Sequence, residues 1–563
     1  MRRLGLAVLG VSAAAGLAAG VLAIGPASAE VPALSVPGVP AATPAASTAT
    51  PRPGGLPSRA AQVRVLEAAL RKMPDRELQG LVPGAADIDD YDIGALWRRG
   101  IDGAGTTIAV IEGWNDPRIG QQVASFDKLL GLPNPQIQTI YPAGPLPRTC
   151  PPGMVRLGSY GSCKAWAGEL TLDVLSAHLM APYAKIVISV TPADTEITDD
   201  AASQVAPPEM MQAVEAIARG HLANVISISD GTGESSYSHG APEILAQDPG
   251  ELAAAAAGIP LLVATGDCGV VQNLPAANGQ CEDVTTFPDA ATWDDSPWVT
   301  AVGGTTPNLG PTGKRRGTDP LWNDQPFSSA AGFSTVFRRP GYQDGVASIT
   351  TSAWRSVPDL VMDARAGTSE AAPLLAGVLA LATQLNGGNV GPINPVLYGT
   401  LGPAGAKDGI VDVIHGSDSS VLPDGHVVPG FTAAKGFDVA SGWGTINAAS
   451  FVPSLVAATR ADRQEAAARG QARHDLQLLE HQISLAVGSI PAGGSARMAA
   501  GGFLPEHPVR LLIDGRFVRT LTASGRGAVS YVIRPGRLGL ARGPHTITLI
   551  SMLITQTLSF RAG

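Results

Sequence analysis

The chain has 563 residues, enough for several domains, and its 45% hydrophobic and 15% charged content is that of a globular protein, which excludes wholesale disorder and fibrous repeats. Thirty-nine basic against 48 acidic side chains, a net charge of −9 and a pI near 5.5 exclude a chain that works mainly by gripping phosphate backbones, so no nucleic-acid partner is expected. Mean hydropathy is +0.14, but with 67 Gly, 46 Pro and 5% aromatics it reflects Ala and Val rather than membrane spans.

Residues 1–29 read as a secretory signal peptide: Arg2-Arg3, an apolar run from Leu4 to Ile24, a Gly25-Pro26 break and the small-x-small ending Ala27-Ser28-Ala29. The mature chain is therefore expected to be secreted and extracellular, without a membrane anchor after cleavage, and monomeric. Residues 30–90 form a linker and short propeptide-like segment, with Pro, Ala, Thr and Ser from Val31 to Pro57 and a short helical pattern from Ser58 to Leu81. Between 91 and 456, strand-like runs (Thr107 to Ile111, Lys185 to Val190, Asn224 to Ile228, Pro260 to Ala264, Trp298 to Val302) alternate with longer helical segments. That alternation predicts an α/β domain built on a parallel sheet with helices on both faces. Residues 457–482 are charged and helix-prone, a connector. Residues 483–563 alternate with period two between Gly/Pro turns and predict a small antiparallel β-sandwich, similar in texture to immunoglobulin-like modules of bacterial exported enzymes.

Four cysteines in an exported chain fit two disulfides, with three possible connectivities. Proximity favours Cys150 with Cys163 and Cys268 with Cys281; the alternative for Cys268 is a free buried thiol. Gly103-Ala104-Gly105 precedes a strand instead of following one, so it is a turn and not a dinucleotide loop. HExxH and CxxC are absent, so a catalytic zinc site has no starting point.

Gly367-Thr368-Ser369 lies just before an apolar helix running from Leu374 to Leu385, which puts Ser369 at a helix N-terminus, where developing negative charge is favoured. A hydroxyl becomes a nucleophile only beside a base. Glu169 and Asp173 are the candidates, because Ala167 to Ala181 has helical periodicity and an i, i+4 spacing puts both carboxyls on one face. Two like charges among Leu170, Leu172, Val174 and Leu175 predict a shared proton and a raised pKa. Asp267 follows the strand Pro260 to Ala264, and ligand sites of open α/β sheets gather at strand ends. Kept neutral there, it could donate a hydrogen bond to an oxyanion.

Taken in order, the segments Gly168-Glu169-Leu170-Thr171-Leu172-Asp173, Ile228-Ser229-Asp230-Gly231, Gly266-Asp267-Cys268-Gly269, Phe287-Pro288, Ser296-Pro297-Trp298, Val357-Pro358-Asp359, Gly367-Thr368-Ser369 and Asn394-Pro395-Val396-Leu397-Tyr398 resemble the sedolisins, the serine-carboxyl peptidases of subtilisin-like fold. The resemblance covers about Tyr91 to Ser450. It implies a peptide hydrolase acting on proteins or peptides, with Ser369 as nucleophile, Glu169 as general base, Asp173 orienting Glu169 and Asp267 as oxyanion donor. It further implies that Ser229, Asp230 and Gly231 line the substrate. A carboxylate base, with a reference pKa near ~4.3 against ~6.5 for imidazole, predicts activity in acid. The family's single Ca²⁺ would fall on Asp412, Val413, Ala434, Gly436 and Asp438, a hard-oxygen set.

Two features depart from the family pattern: only residues 30–90 separate the signal from the match, and the interval from Asp359 to Gly367 is short. Asp230 is an unusual residue at its position. A His-dependent subtilisin relative is excluded, because Ile111-Glu112-Gly113 stands where Asp-Ser/Thr-Gly would be required and no His-Gly-Thr follows. The alternative from another class is a catalytically idle scaffold working through its C-terminal β module.

Overall fold

Strand β1, Thr107–Glu112, is buried along almost its whole length because alternate side chains serve two cores: Ile108 and Val110 on one face, Ala109 and Ile111 on the other. Such a strand belongs inside a sheet covered on both sides. The computed structural model describes residues 87, 90–150, 162–191, 208–237, 240–274, 280–308, 315–461, 489–491, 493–500, 508–524, 528–550 and 555–563. The expected signal peptide, nearly all of the 30–90 segment and the connector beyond residue 461 lie outside the described residues.

Six further strands complete the sheet: β2 Ile137–Ile140, β3 Lys185–Val190, β4 Val225–Ile228, β5 Leu261–Ala264, β6 Thr300–Thr305 and β7 Leu360–Asp363. Their order is β2-β3-β1-β4-β5-β6-β7 and every pairing is parallel. After β1 the chain builds β2 and β3 on one side, then crosses to β4 on the other. The carboxyl ends of β1 and β4 thus flank a topological switch point, where a crevice opens.

Helices α1 Ile119–Leu130, α2 Cys163–Met180, α5 Thr368–Asn386 and α6 Ala448–Ala461 share one core through Phe126, Leu170, Val174, Leu374, Val378 and Phe451. On the opposite face α3 Pro208–Gly220 and α4 Asp248–Ala256 pack Met210, Val214, Ile217 and Ala253 against Ala109 and Ile111. Helices α2 and α5 approach closely because position 377 is glycine: a Cβ there would lie 2.4 Å from Cβ of Met180 and 2.7 Å from the carbonyl of Ala177. That contact brings the helix carrying Glu169 and Asp173 against the helix carrying Ser369.

Just before β7 a buried hub ties two of the quoted motifs to each other and to β6. Asp359 accepts from Arg355 at 2.8 and 2.6 Å, from the Ala301 backbone N–H at 2.9 Å, from Asn394 Nδ2 at 3.1 Å and from the Tyr398 hydroxyl at 2.8 Å. The Asn-Pro-Val-Leu-Tyr and Val-Pro-Asp segments are therefore scaffolding.

Two boundaries shift from the sequence expectation. Helix α5 begins at Thr368 instead of Leu374 and carries Pro373 inside it, and β6 runs from Thr300 to Thr305 instead of from Trp298. Among the described residues no helix is long and apolar enough to cross a membrane.

The C-terminal region forms a five-stranded sheet and a two-stranded sheet, Ala496–Ala500 with Val529–Ile533. Met498, Val529 and Ile533 of the smaller sheet share one core with Val509, Leu511, Ile547, Leu549 and Phe560 of the larger. One edge corrects the all-antiparallel expectation: Ser489–Ile490 pairs in parallel with the last strand, Ser489 opposite Arg561. Period-two alternation reports which side of a strand is buried and carries no information on its direction.

Candidate active site

Strand ends and two helices deliver the predicted side chains to one place. Glu112 closes β1, Ser229-Asp230-Gly231 follow β4, and Asp267 follows β5. Ser369 is the second residue of α5, and α2 supplies Glu169 and Asp173. The Ser229 hydroxyl donates to Asp173 at 3.1 Å to Oδ1 and 2.9 Å to Oδ2, and lies 3.3 Å from the carbonyl oxygen of Ser369. That carbonyl is free for a side-chain donor because residue 373, four positions on, is proline and has no N–H to offer it. Of the three predicted substrate-lining residues, Ser229 thus commits its hydroxyl to the acids.

Burial dominates the electrostatics. It pushes Glu169 up to about 8, helped by the charges of Asp267 and Asp230 and opposed by a hydrogen bond from the Ser369 hydroxyl. Asp173, fully buried, is raised well above the usual carboxylate range by desolvation and then by Glu169, while hydrogen bonds with Ser229 and Glu112 pull it back. Asp230, half-buried, is pushed up to about 7 by desolvation against a hydrogen bond from the Gly231 backbone. Among the described residues no Lys, Arg or His forms an ion pair with any of these acids.

Glu112 is a site residue that the sequence analysis missed. It is fully buried, both its carboxyl oxygens lack a donor among the described residues, and it faces Asp173. Desolvation raises it first, then the charges of Asp173, Glu169 and Asp230. Neighbouring carboxyls buried without an ion-pairing cation favour keeping a proton among them. The signal was present: an acid ending an otherwise apolar buried strand at a switch point.

Asp267 is gripped on both edges. Its Oδ1 accepts from the Thr368 backbone N–H at 2.7 Å and the Thr368 hydroxyl at 2.8 Å, and its Oδ2 accepts from the Gln280 carboxamide. Thr368 is itself oriented by the Gly266 N–H, 3.0 Å from its Oγ1. Gly367 is required here twice over: its φ is +92°, and a Cβ would lie 2.7 Å from Asp267 Oδ2. Burial raises the pKa of Asp267, and the Thr368 and Gln280 hydrogen bonds restrain the rise. The arrangement thus joins a hydroxyl at a helix N-terminus, a carboxyl hydrogen-bonded to it, two more buried carboxyls behind that one and a further carboxyl on the loop after β5.

The disulfides Cys150–Cys163 and Cys268–Cys281 are both present. Around the expected calcium ligands, Asp412 Oδ2 accepts from the Gly436 N–H at 2.9 Å, and Asp438 accepts from the Ala434 N–H at 2.8 Å and the Ser441 N–H at 2.9 Å. The 434–436 loop thus joins both carboxylates, and Asp412 Oδ1 is buried without a partner among the described residues. An orphaned carboxylate oxygen beside a second carboxylate fits a hard cation, with carbonyls of Val413, Ala434 and Gly436 available in the same loops. Another acidic group, Asp87, Asp363 and Glu370, is already served by Arg365, which bonds Asp87 at 3.1 Å and both oxygens of Asp363.

Residues 173–398 match the Subtilase family. Kumamolisin of Bacillus sp. (strain MN-32) is 30% identical over 329 residues, 53% of this chain and 52% of that protein. Human (Homo sapiens) tripeptidyl-peptidase 1 is 30% identical over 238 residues, 36% and 38% of the respective chains. The chain therefore spans about half the length of the first relative and about two-fifths of the second. The solved structure of Pseudomonas sedolisin (serine-carboxyl proteinase), complexed with two molecules of pseudo-iodotyrostatin, superposes with a TM-score of 0.51 at 23% identity, covering 64% of this chain and 94% of that one, a likeness of fold. These similarities agree with the order of the motifs and with the all-parallel seven-stranded sheet: the chain is similar to the Subtilase family over residues 173–398 and to serine-carboxyl peptidases over about half of its length.

Proposed function

We propose that the protein is a secreted serine-carboxyl endopeptidase. The observation that carries this reading is the chain Ser369–Glu169–Asp173–Glu112, with Asp267 held beside the nucleophile's helix. Ser369 Oγ attacks the scissile carbonyl carbon and passes its proton to Glu169. Protonated Asp267 donates to the carbonyl oxygen as it becomes an oxyanion, with help from backbone N–H groups at the start of α5. When the tetrahedral intermediate collapses, the C–N bond breaks and Glu169 returns the proton to the leaving amine. Water then attacks the acyl-enzyme, Glu169 again taking the proton, and Ser369 is released. Asp173 keeps Glu169 oriented and shares its proton, while Ser229 and Glu112 hold Asp173. Asp230 and Gly231 line the cleft beside the scissile bond.

The pH window follows from these roles. Asp267 must keep a proton while the Glu169–Asp173 pair has lost one, and burial puts both limbs above those of free carboxylates. The expectation of a peak in acid rests on the base being a carboxylate, whose reference value lies below that of imidazole. Asp412 and Asp438, with carbonyls of Val413, Ala434 and Gly436, would hold a calcium ion, whose positive charge would tie these loops together. Substrates are proteins or peptides, the protein acts as an extracellular monomer, and the C-terminal β module is an accessory domain. The test is hydrolysis of an unfolded protein from about pH 3 to about pH 8 by the parent chain, Ser369→Ala and Glu169→Ala. Acid-peaked activity lost in both variants supports the reading. Activity confined to neutrality, or surviving in either variant, refutes it, and a folded, processed chain without activity points to the idle scaffold.

A further inference from the structure

The Cys268–Cys281 disulfide joins the residues that immediately follow Asp267 and Gln280. The covalent link therefore carries those two side chains to one point, where Gln280 Nε2 donates to Asp267 Oδ2. Both half-cystines are themselves pinned: the Cys281 N–H bonds Asn273 Oδ1 at 2.8 Å, and the Cys268 carbonyl accepts from Ser420 Oγ at 2.7 Å. The other oxygen of Asp267 already accepts two hydrogen bonds from Thr368. An acid that donates to an oxyanion must then carry its proton on Oδ2, the edge that Gln280 faces. A carboxyl oxygen has two lone-pair directions, and an amide donor on one leaves the other for the proton.

We propose that Gln280 is a positioning residue, delivered by the Cys268–Cys281 bridge, whose carboxamide holds the Oδ2 edge of Asp267 so that this acid presents one orientation to the substrate carbonyl. The proposal rests on the reading of Asp267 as oxyanion donor. Because a donated hydrogen bond favours the ionised form, Gln280 also limits how far up the pH scale Asp267 keeps its proton, as does Thr368. The titratable group coupled to Asp267 from a packed element is Glu169 of α2, which the charge of Asp267 raises. No Lys, Arg or His forms an ion pair with Asp267 among the described residues.

The test compares the parent chain with Gln280→Met, a side chain of similar length without a donor. The expected result is a roughly tenfold fall in kcat with little change in KM, and an alkaline limb of kcat/KM moved upward by about half to one pH unit, the share of one hydrogen bond among three. The paired variant Cys268→Ser/Cys281→Ser should move the limb the same way if the bridge delivers Gln280. Should that variant fail to fold, Gln280→Met decides alone. A second readout needs no activity: in the Ser369→Ala background, the carboxyl stretching band that Asp267→Asn removes is titrated by difference infrared spectroscopy with and without Gln280→Met. An upward move of its midpoint supports the proposal. An unmoved midpoint or an unmoved limb overturns it, and a parent chain that hydrolyses nothing speaks against the peptidase reading while the infrared titration still decides the role of Gln280.

Discussion

Ser229 donates its hydroxyl to both carboxylate oxygens of Asp173, at 3.1 and 2.9 Å, across the gap between the end of β4 and helix α2. It is the only hydroxyl hydrogen-bonded to that buried acid among the described residues, and one hydrogen bond to a charged partner is worth about 1.5–3 kcal/mol. Ser229→Ala should lower kcat about 10- to 100-fold with little change in KM. Steady-state kinetics check this: a raised KM at unchanged kcat would instead make Ser229 a substrate contact.

The acids of the site should make the fold more stable in acid than near neutrality. Glu169 at about 8 and Asp230 at about 7, with Glu112 and Asp173 also raised, bind protons in the native state that the unfolded chain has released. Their contribution is fully present below the unfolded value, about pH 4, and is lost as pH rises through the folded values toward about 8. The thermal midpoint of the Ser369→Ala chain, which cannot digest itself by the proposed route, should fall over that interval. A midpoint that climbs from about pH 4 to about pH 8 would contradict the assignment.

Calcium should raise the melting midpoint and a chelator should lower it, by about 2.7 kcal/mol of stability when the ion stands a hundredfold above its Kd. Asp412→Asn should abolish the response, because it disables the carboxylate whose Oδ1 is buried without a partner among the described residues. Asp87→Asn, in the acidic group served by Arg365, should leave the calcium response intact. A response that disappears with Asp87→Asn and survives Asp412→Asn would move the ion to that group.

Arg355→Ala should cost about 3–5 kcal/mol, the penalty for leaving a buried charge unpaired. Arg355 and Asp359 are both fully buried, and Asp359 also gathers Ala301, Asn394 and Tyr398. Denaturant midpoints at constant slope would measure the loss, and a change below about 1 kcal/mol would show that the hub holds without the guanidinium.

Much of this was legible in the chain. The Glu169/Asp173 spacing needed only helical periodicity, and α2 does span both. The alternation of apolar runs with helical segments predicted the parallel sheet, and proximity alone suggested the two disulfides found. Glu112, Thr368 and Gln280 escaped because each acts on a residue far along the chain: Glu112 on Asp173, Thr368 and Gln280 on Asp267. The apolar run marked only the part of α5 from Leu374 onward, since the turns from Thr368 to Pro373 carry no large apolar side chain.

The sequence by itself determined the alternation of elements, the helix that pairs two acids, the glycine before Thr368-Ser369 and the four half-cystines, because these rest on near-neighbour periodicity, conformational preference and spacing. Only the tertiary structure decided that a third acid stands behind that pair without an ion-pairing cation among the described residues, that Ser229 serves Asp173, and that Gln280 meets Asp267. Proton sharing and desolvation depend on what surrounds a carboxyl in space, and that is settled when β1, β4, β5, α2 and α5 converge at one end of the sheet.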